Sequence, residues 1–176
     1  MRLVLVMCVP LGLRVRRDVL DGNDLGLVNS FIESLEFKPA DIFRGLTNKI
    51  VQFGRLYDYR KKTCEYGTTP FPHVLNMLAT YIEDGPYNQC IVKRFDKGKT
   101  DTACIDSCCF GGTVGVFTFG KETDVVFTRG SNKHVINVTN NSLYTVSGEA
   151  RYAWKRQPLP IKSGTYYSIE FHSVKP

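Results

Sequence analysis

Ser142-Leu143-Tyr144-Thr145-Val146, followed directly by Ser147-Gly148-Glu149-Ala150-Arg151-Tyr152-Ala153-Trp154-Lys155, is the stretch on which the fold turns. Its first five residues are mostly β-branched, aromatic or small, the composition of a strand. Gly148 punctuates it, and residues 152–155 read as the next strand. The same rhythm extends in both directions. Residues 90–95, 113–119, 124–128, 134–138 and 166–174 are short β-rich runs. Lys97-Gly98, Gly111-Gly112, Gly120, Gly130-Ser131-Asn132, Asn140-Asn141 and Gly164 separate them. Short strands at this spacing predict an antiparallel sandwich or barrel.

Upstream of Tyr87 the period changes. Asp21, Asn23 and Asp24 offer N-caps, and Leu25, Val28, Phe31, Ile32 and Leu35 recur at helical spacing until Pro39. Pro72 opens a second helix with Leu75, Leu78, Ala79 and Ile82 as its apolar stripe, stopped by Gly85-Pro86. Helices first and strands after predict an α+β chain of one domain over 1–176. It divides into a helical part, 1–86, packed on one sheet, and a β core, 87–176.

The 176 residues suffice for one core, and 43% hydrophobic and 12% aromatic content favours a globular over a disordered chain. No apolar run spans a bilayer, so no membrane role is expected. Arg2 precedes an apolar stretch from Leu3 to Leu13, but Pro10 and Gly12 interrupt it and Arg14, Arg16 and Arg17 follow; a core strand is expected there, not a signal peptide. The sequons at Asn137 and Asn140 carry little weight without secretion. Six cysteines, Cys8, Cys64, Cys90, Cys104, Cys108 and Cys109, lack disulfide-framework spacing, so free thiols and a cytoplasmic location are expected. The net charge of +6 permits a nucleic-acid or anionic partner without requiring one.

The run Ser147-Gly148-Glu149-Ala150-Arg151-Tyr152-Ala153-Trp154-Lys155 resembles the AlkB family's segment leading to its last metal ligand. Asn141 to Val146 resembles the strand before it, and Val116-Phe117-Thr118-Phe119-Gly120 a strand ending in Ser-Leu-Gly. Tyr66-Gly67, Pro70-Phe71-Pro72, Tyr87-Asn88-Gln89 and Asp96-Lys97-Gly98 fall in the family's order. The resemblance covers about residues 50 to 175 and implies a double-stranded β-helix, the jelly roll of Fe(II)- and 2-oxoglutarate-dependent dioxygenases that remove alkyl groups from nucleic-acid bases.

The resemblance also implies that most of that chemistry is missing. The family holds iron on His-x-Asp and a distal His, the 2-His-1-carboxylate triad. Here those places read Cys104-Ile105-Asp106 and Arg156. A guanidinium has no lone pair to give a cation. The family's co-substrate is held by Asn-x-Tyr and by two arginines on the final strand; here the places read Lys93-Arg94-Phe95, and Tyr166 with His172. No cofactor is therefore expected, and Arg156 is expected to swing onto Asp106. Zinc on Cys104, Asp106, Cys108 and Cys109 lacks a second ligand pair, and a Cys104 nucleophile with His172 as base is a further alternative.

Three functions compete. The first is a non-catalytic AlkB-like module that binds single-stranded RNA or other nucleic acid, with Tyr57, Tyr59, Arg60, Lys61, Lys62 and Arg151 as candidate contacts and Phe95 as a further stacking ring. The second is a working demethylase that uses Fe(II) and 2-oxoglutarate in an atypical metal shell. The third is a structural or protein-interaction module of open oligomeric state. The chain also resembles the small, reduced AlkB domains of some RNA viruses, which would place it in host cytoplasm.

Overall fold

In the computed structural model, which describes residues 9–40 and 48–174, the chain folds as two antiparallel sheets with helices on one outer face. In chain order the elements are β1 (Leu13–Arg16), α1 (Gly22–Glu33), β2 (Lys38–Pro39), β3 (Lys49–Asp58), β4 (Thr63–Thr69), α2 (His73–Ala79) and β5 (Gln89–Asp96). They continue as β6 (Phe110–Gly120), β7 (Thr123–Arg129), β8 (Asn132–Val138), β9 (Ser142–Val146), α3 (Gly148–Tyr152), β10 (Lys155–Pro158) and β11 (Thr165–Val174). The larger sheet runs β1-β9-β6-β11-β5-β3-β2, with β4 paired to β3; the smaller runs β10-β7-β8. Cys8 and the start of the apolar N-terminal run lie outside the described residues. No described helix is long and apolar enough to cross a membrane.

The antiparallel α+β sandwich expected from the strand rhythm, and the jelly roll that the resemblance implies, are present. The Asp21 side chain caps α1 by accepting from the Asp24 backbone N–H at 2.9 Å. Val28 and Ile32 of α1 and Leu75 and Leu78 of α2 bury against Phe53, Val92, Phe117, Phe119, Ile169 and Phe171 of the larger sheet. The opposite face of that sheet meets the smaller one through Phe95, Val116, Val125, Phe127, Ile136, Tyr144, Trp154 and Tyr166.

Two local expectations are corrected. The first 86 residues are not simply helical, because β1, β3 and β4 come from them and join the larger sheet. β3 hides from a period-2 reading because most of it is half-buried with no clean alternation. It is held by backbone pairing to β5 from Lys49↔Arg94 to Gly54↔Gln89. Gly54 is required there, since its φ is +72° and a Cβ would lie 2.2 Å from the Asn88 carbonyl oxygen. Residues 152–155 do not form one strand either. Residues 148–152 make the single turn α3, and only Lys155 onward pairs with β7. Tertiary bonds override the strand propensity of Tyr152: the buried Arg151 guanidinium donates to the backbone carbonyls of Asp106 (2.9 Å) and Ser107 (2.6 Å), and Trp154 Nε1 to Glu149 Oε1 (2.9 Å).

Candidate functional site

The loop between β5 and β6 is stitched to the start of β10. Cys104 and Arg156 exchange backbone hydrogen bonds, Arg156 N–H to the Cys104 carbonyl at 3.0 Å and Cys104 N–H to the Arg156 carbonyl at 3.3 Å. Two residues further along that loop, Asp106 meets the Arg156 side chain. Nε donates to Oδ2 at 3.1 Å and Nη2 to Oδ1 at 2.7 Å, a two-pronged pair with side-chain exposures of 9% and 12%. The guanidinium makes two further bonds: Nη1 reaches the Tyr144 hydroxyl at 2.9 Å and Nη2 the Glu170 carboxylate at 3.3 Å. The guanidinium thus sits between two carboxylates. Cys104 itself is exposed at the rim of the cleft and takes no part in this cluster.

Glu170 extends the network. Lys93 Nζ lies 3.1 Å from Glu170 Oε1 and 3.0 Å from Asp101 Oδ2, and Asn48 Nδ2 donates to Asp101 Oδ1 at 2.6 Å. Burial alone would raise both carboxyls and lower both cations. The partners win in each case. Arg156 holds Asp106 well below the ordinary carboxylate range, and Lys93 with Arg156 holds Glu170 down. Asp101 and Glu170 hold Lys93 up, and Asp106 leads the groups that hold Arg156 up. All four groups stay charged.

His172 behaves oppositely. Burial lowers its pKa to about 4, because Asp106 and Glu170 oppose desolvation only in part. Its tautomer follows from a chain of amides. The Tyr57 backbone N–H must donate, so the atom it meets at 2.8 Å is the Gln52 oxygen. That oxygen accepts Gln89 Nε2 at 3.3 Å, which turns the Gln89 oxygen toward His172 Nδ1 at 2.5 Å. Nδ1 therefore carries the proton and Nε2 a lone pair. Phe110 stacks on the ring at 3.9 Å, and Nε2 is buried without a hydrogen-bond partner among the described residues. Asp106, Glu170 and His172 bring ligand-capable atoms within 4.8 Å of one another.

These groups floor a cleft of about 390 Å³, walled by Tyr57, Tyr59 and Lys62 from the β3–β4 hairpin and by residues 101–107 opposite. The sequence-derived contacts divide here. Tyr57 and Tyr59 are half-buried on the wall, their rings 4.9 Å apart, and Lys62 is exposed at the rim. Arg60 and Lys61 are exposed on the hairpin, where Lys61 pairs with Glu65 at 3.1 Å. Arg151 is corrected: it is 1% exposed and braces the 106–110 loop, so it is not a surface contact. Phe95 is corrected too, being buried against Tyr166 at 5.4 Å. Lys93 is spent on Asp101 and Glu170.

Sequence reasoning missed Glu170, Asp101, Tyr144 and the Gln52–Gln89 relay. Glu170 was recoverable: once Tyr166 and His172 are placed on one face of a strand, residues 168 and 170 share that face. Asp101 sits in a loop and carried no such signal.

No family model matches the chain, and no curated protein sequence matches it. Solved structures do. The AlkB homologue OsALKBH1 superposes with a TM-score of 0.71 at 11% identity, covering 94% of this chain and 99% of that one. A 2OG-Fe(II) oxygenase family protein from Burkholderia pseudomallei gives 0.65 at 11%, covering 92% and 83%. A prolyl-4-hydroxylase from Pseudomonas putida gives 0.64 at 11%, covering 93% of each chain. The chain has the AlkB and 2OG-oxygenase jelly-roll fold.

Proposed function

We propose that this chain is an AlkB-fold module that binds nucleic acid in its cleft and has exchanged dioxygenase chemistry for an internal ion pair. One observation carries this reading: Arg156, at the place of the family's distal metal ligand, fills the site by bonding Asp106 twice and Glu170 once. Fe(II) fits this arrangement badly. Both carboxylates that would bind it already hold a buried guanidinium, and Glu170 also holds Lys93. 2-Oxoglutarate fits no better. Its arginine positions are the buried Tyr166 and a neutral His172, and a dicarboxylate would meet Asp101, Asp106 and Glu170.

The cleft suits an unstacked base. Tyr57 and Tyr59 offer ring faces, and Lys62 with the overall charge of +6 favours phosphate. Fluorescence anisotropy with a labelled single-stranded RNA at 50 and 200 mM salt tests the reading. Weak, salt-sensitive binding that falls in Tyr59→Ala and Lys62→Ala is expected. Flat titrations at low salt would instead leave an interaction or scaffold role.

A second reading has its own support. Asp106, Glu170 and the unpartnered His172 Nε2 form a candidate metal cluster displaced from the family's triad. Anaerobic reconstitution separates the two readings. Stoichiometric iron with succinate production establishes an atypical dioxygenase, and metal-free protein that leaves 2-oxoglutarate unchanged supports the ion-pair reading.

A further inference from the structure

Two half-buried thiols face each other beside the cleft, each next to a residue that lines it. Cys64 lies on β4, opposite Tyr57 in the hairpin register, and Cys109 directly precedes β6. Their sulfurs are 3.2 Å apart, although 45 residues separate them in sequence. That is closer than packed sulfurs normally sit and about 1 Å beyond bonding distance, so a small rotation closes the gap. Cys90 is buried in the larger sheet, while Cys104 and Cys108 are exposed. The contact joins the two cleft walls. Tyr57 and Tyr59 stand on the hairpin side; Asp106, Ser107 and Phe110 stand on the loop side. The walls also meet through the Tyr57 and Phe110 rings, 4.9 Å apart, and through the Ser107 hydroxyl on the Lys62 carbonyl at 3.5 Å.

We propose that Cys64 and Cys109 are a redox-controlled pair whose disulfide clamps the β3–β4 hairpin to the 104–110 loop and sets the width of the cleft mouth. The oxidant is a low-molecular-weight disulfide of the glutathione class. One cysteine thiolate attacks it and expels one thiolate, leaving a mixed disulfide. The second cysteine then attacks the protein sulfur and expels the other. Two cysteine thiols lose two electrons and two protons; one small disulfide becomes two small thiols. Burial and the Cys109 contact push Cys64 up to about 12, which keeps it in the thiol form and slows its attack on disulfides. A pair of this kind suits a compartment in which disulfides are transient. This inference does not depend on nucleic-acid binding.

The test treats the full chain with oxidised glutathione, then maps peptides without reduction. The expected product is one intramolecular Cys64–Cys109 link, formed equally in Cys108→Ser and absent in Cys64→Ser. It should raise Tm by roughly 5 °C or more, because the bond closes a long loop, and dithiothreitol should reverse the rise. A stable glutathione adduct on Cys109 with Cys64 still free, or a bond taken by Cys104 or Cys108, overturns the proposal. The wild-type map decides even if a variant folds poorly.

Discussion

The two faces of the larger sheet solve opposite problems. Toward the helices, Ile169 and Phe171 of β11 join Val92, Phe117, Leu75 and Leu78 in a layer that contains no charge and is almost fully buried. Toward the smaller sheet, the alternate residues of the same strand are Tyr166, Ser168, Glu170 and His172; Ser168 donates to Glu170, and Glu170 and His172 meet Lys93, Arg156, Asp106 and Gln89. One strand therefore carries both an apolar layer and a buried charge cluster. Packing area holds the first and tolerates substitution of similar volume. Geometry holds the second, where each charge depends on a named partner and the loss of one strands another.

The largest effect expected is from breaking the cluster on one side. Asp106→Ala leaves the buried Arg156 with Glu170 alone. The pair is about nine-tenths buried, so the loss in stability should be roughly 3–5 kcal/mol. An unchanged denaturation midpoint would mean that water screens the pair and the contrast between the faces is false. On the apolar face, Leu78→Ala should cost about 2–5 kcal/mol through cavity formation. Salt separates the two substitutions: Leu78→Ala should keep its penalty at high salt, whereas any water-exposed part of the Asp106 penalty should shrink.

His172 adds a pH dependence confined to the charged face. Its pKa falls from 6.5 to about 4 on folding, so between those values the unfolded chain binds the proton and the folded chain does not. Stability attributable to His172 is complete above pH 6.5, falls as the pH drops, and levels off below about 4. The total is about 3 kcal/mol. Chemical denaturation from pH 7 to 4 should therefore show a steeper loss in the wild type than in His172→Gln. Parallel curves would mean that the ring is protonated in the folded state.

The helical stripes and the strand rhythm after Tyr87 were legible because side-chain period reports which face is buried, and the jelly-roll assignment came from the resemblance of the 141–155 stretch to the AlkB family. β3 was not, since both its faces are half-buried and its place is set by backbone pairing to β5. At the site, Asp106 and Arg156 could be paired because the resemblance puts both at one metal site, and a guanidinium buried there requires an acid. Arg151 misled for the same chemical reason. A guanidinium reads as a phosphate contact, but here Nη1 and Nη2 are buried and donate to backbone carbonyls of the 106–110 loop. Asp101 and Gln52 stayed invisible because loop and cross-strand partners have no period.

The smallest effect is the most discriminating. Asp106→Leu combined with Arg156→Met removes both charges and replaces them with apolar volume. Glu170 keeps Lys93 at 3.1 Å, and Lys93 keeps Asp101 at 3.0 Å, so no remaining ion is stranded. The Tyr144 hydroxyl loses its guanidinium partner, at a cost of about 1 kcal/mol. Against that, two charges no longer have to be desolvated, a saving that often equals or exceeds the attraction of a buried pair. The double variant should therefore lie within about 1 kcal/mol of the wild type, although Arg156→Met alone leaves Asp106 without its cation and should be strongly destabilised. In a double-mutant cycle this appears as a coupling energy of several kcal/mol between positions 106 and 156. If the double variant loses as much as the two single variants together, the residues act independently and Arg156 does not fill the site as a unit with Asp106.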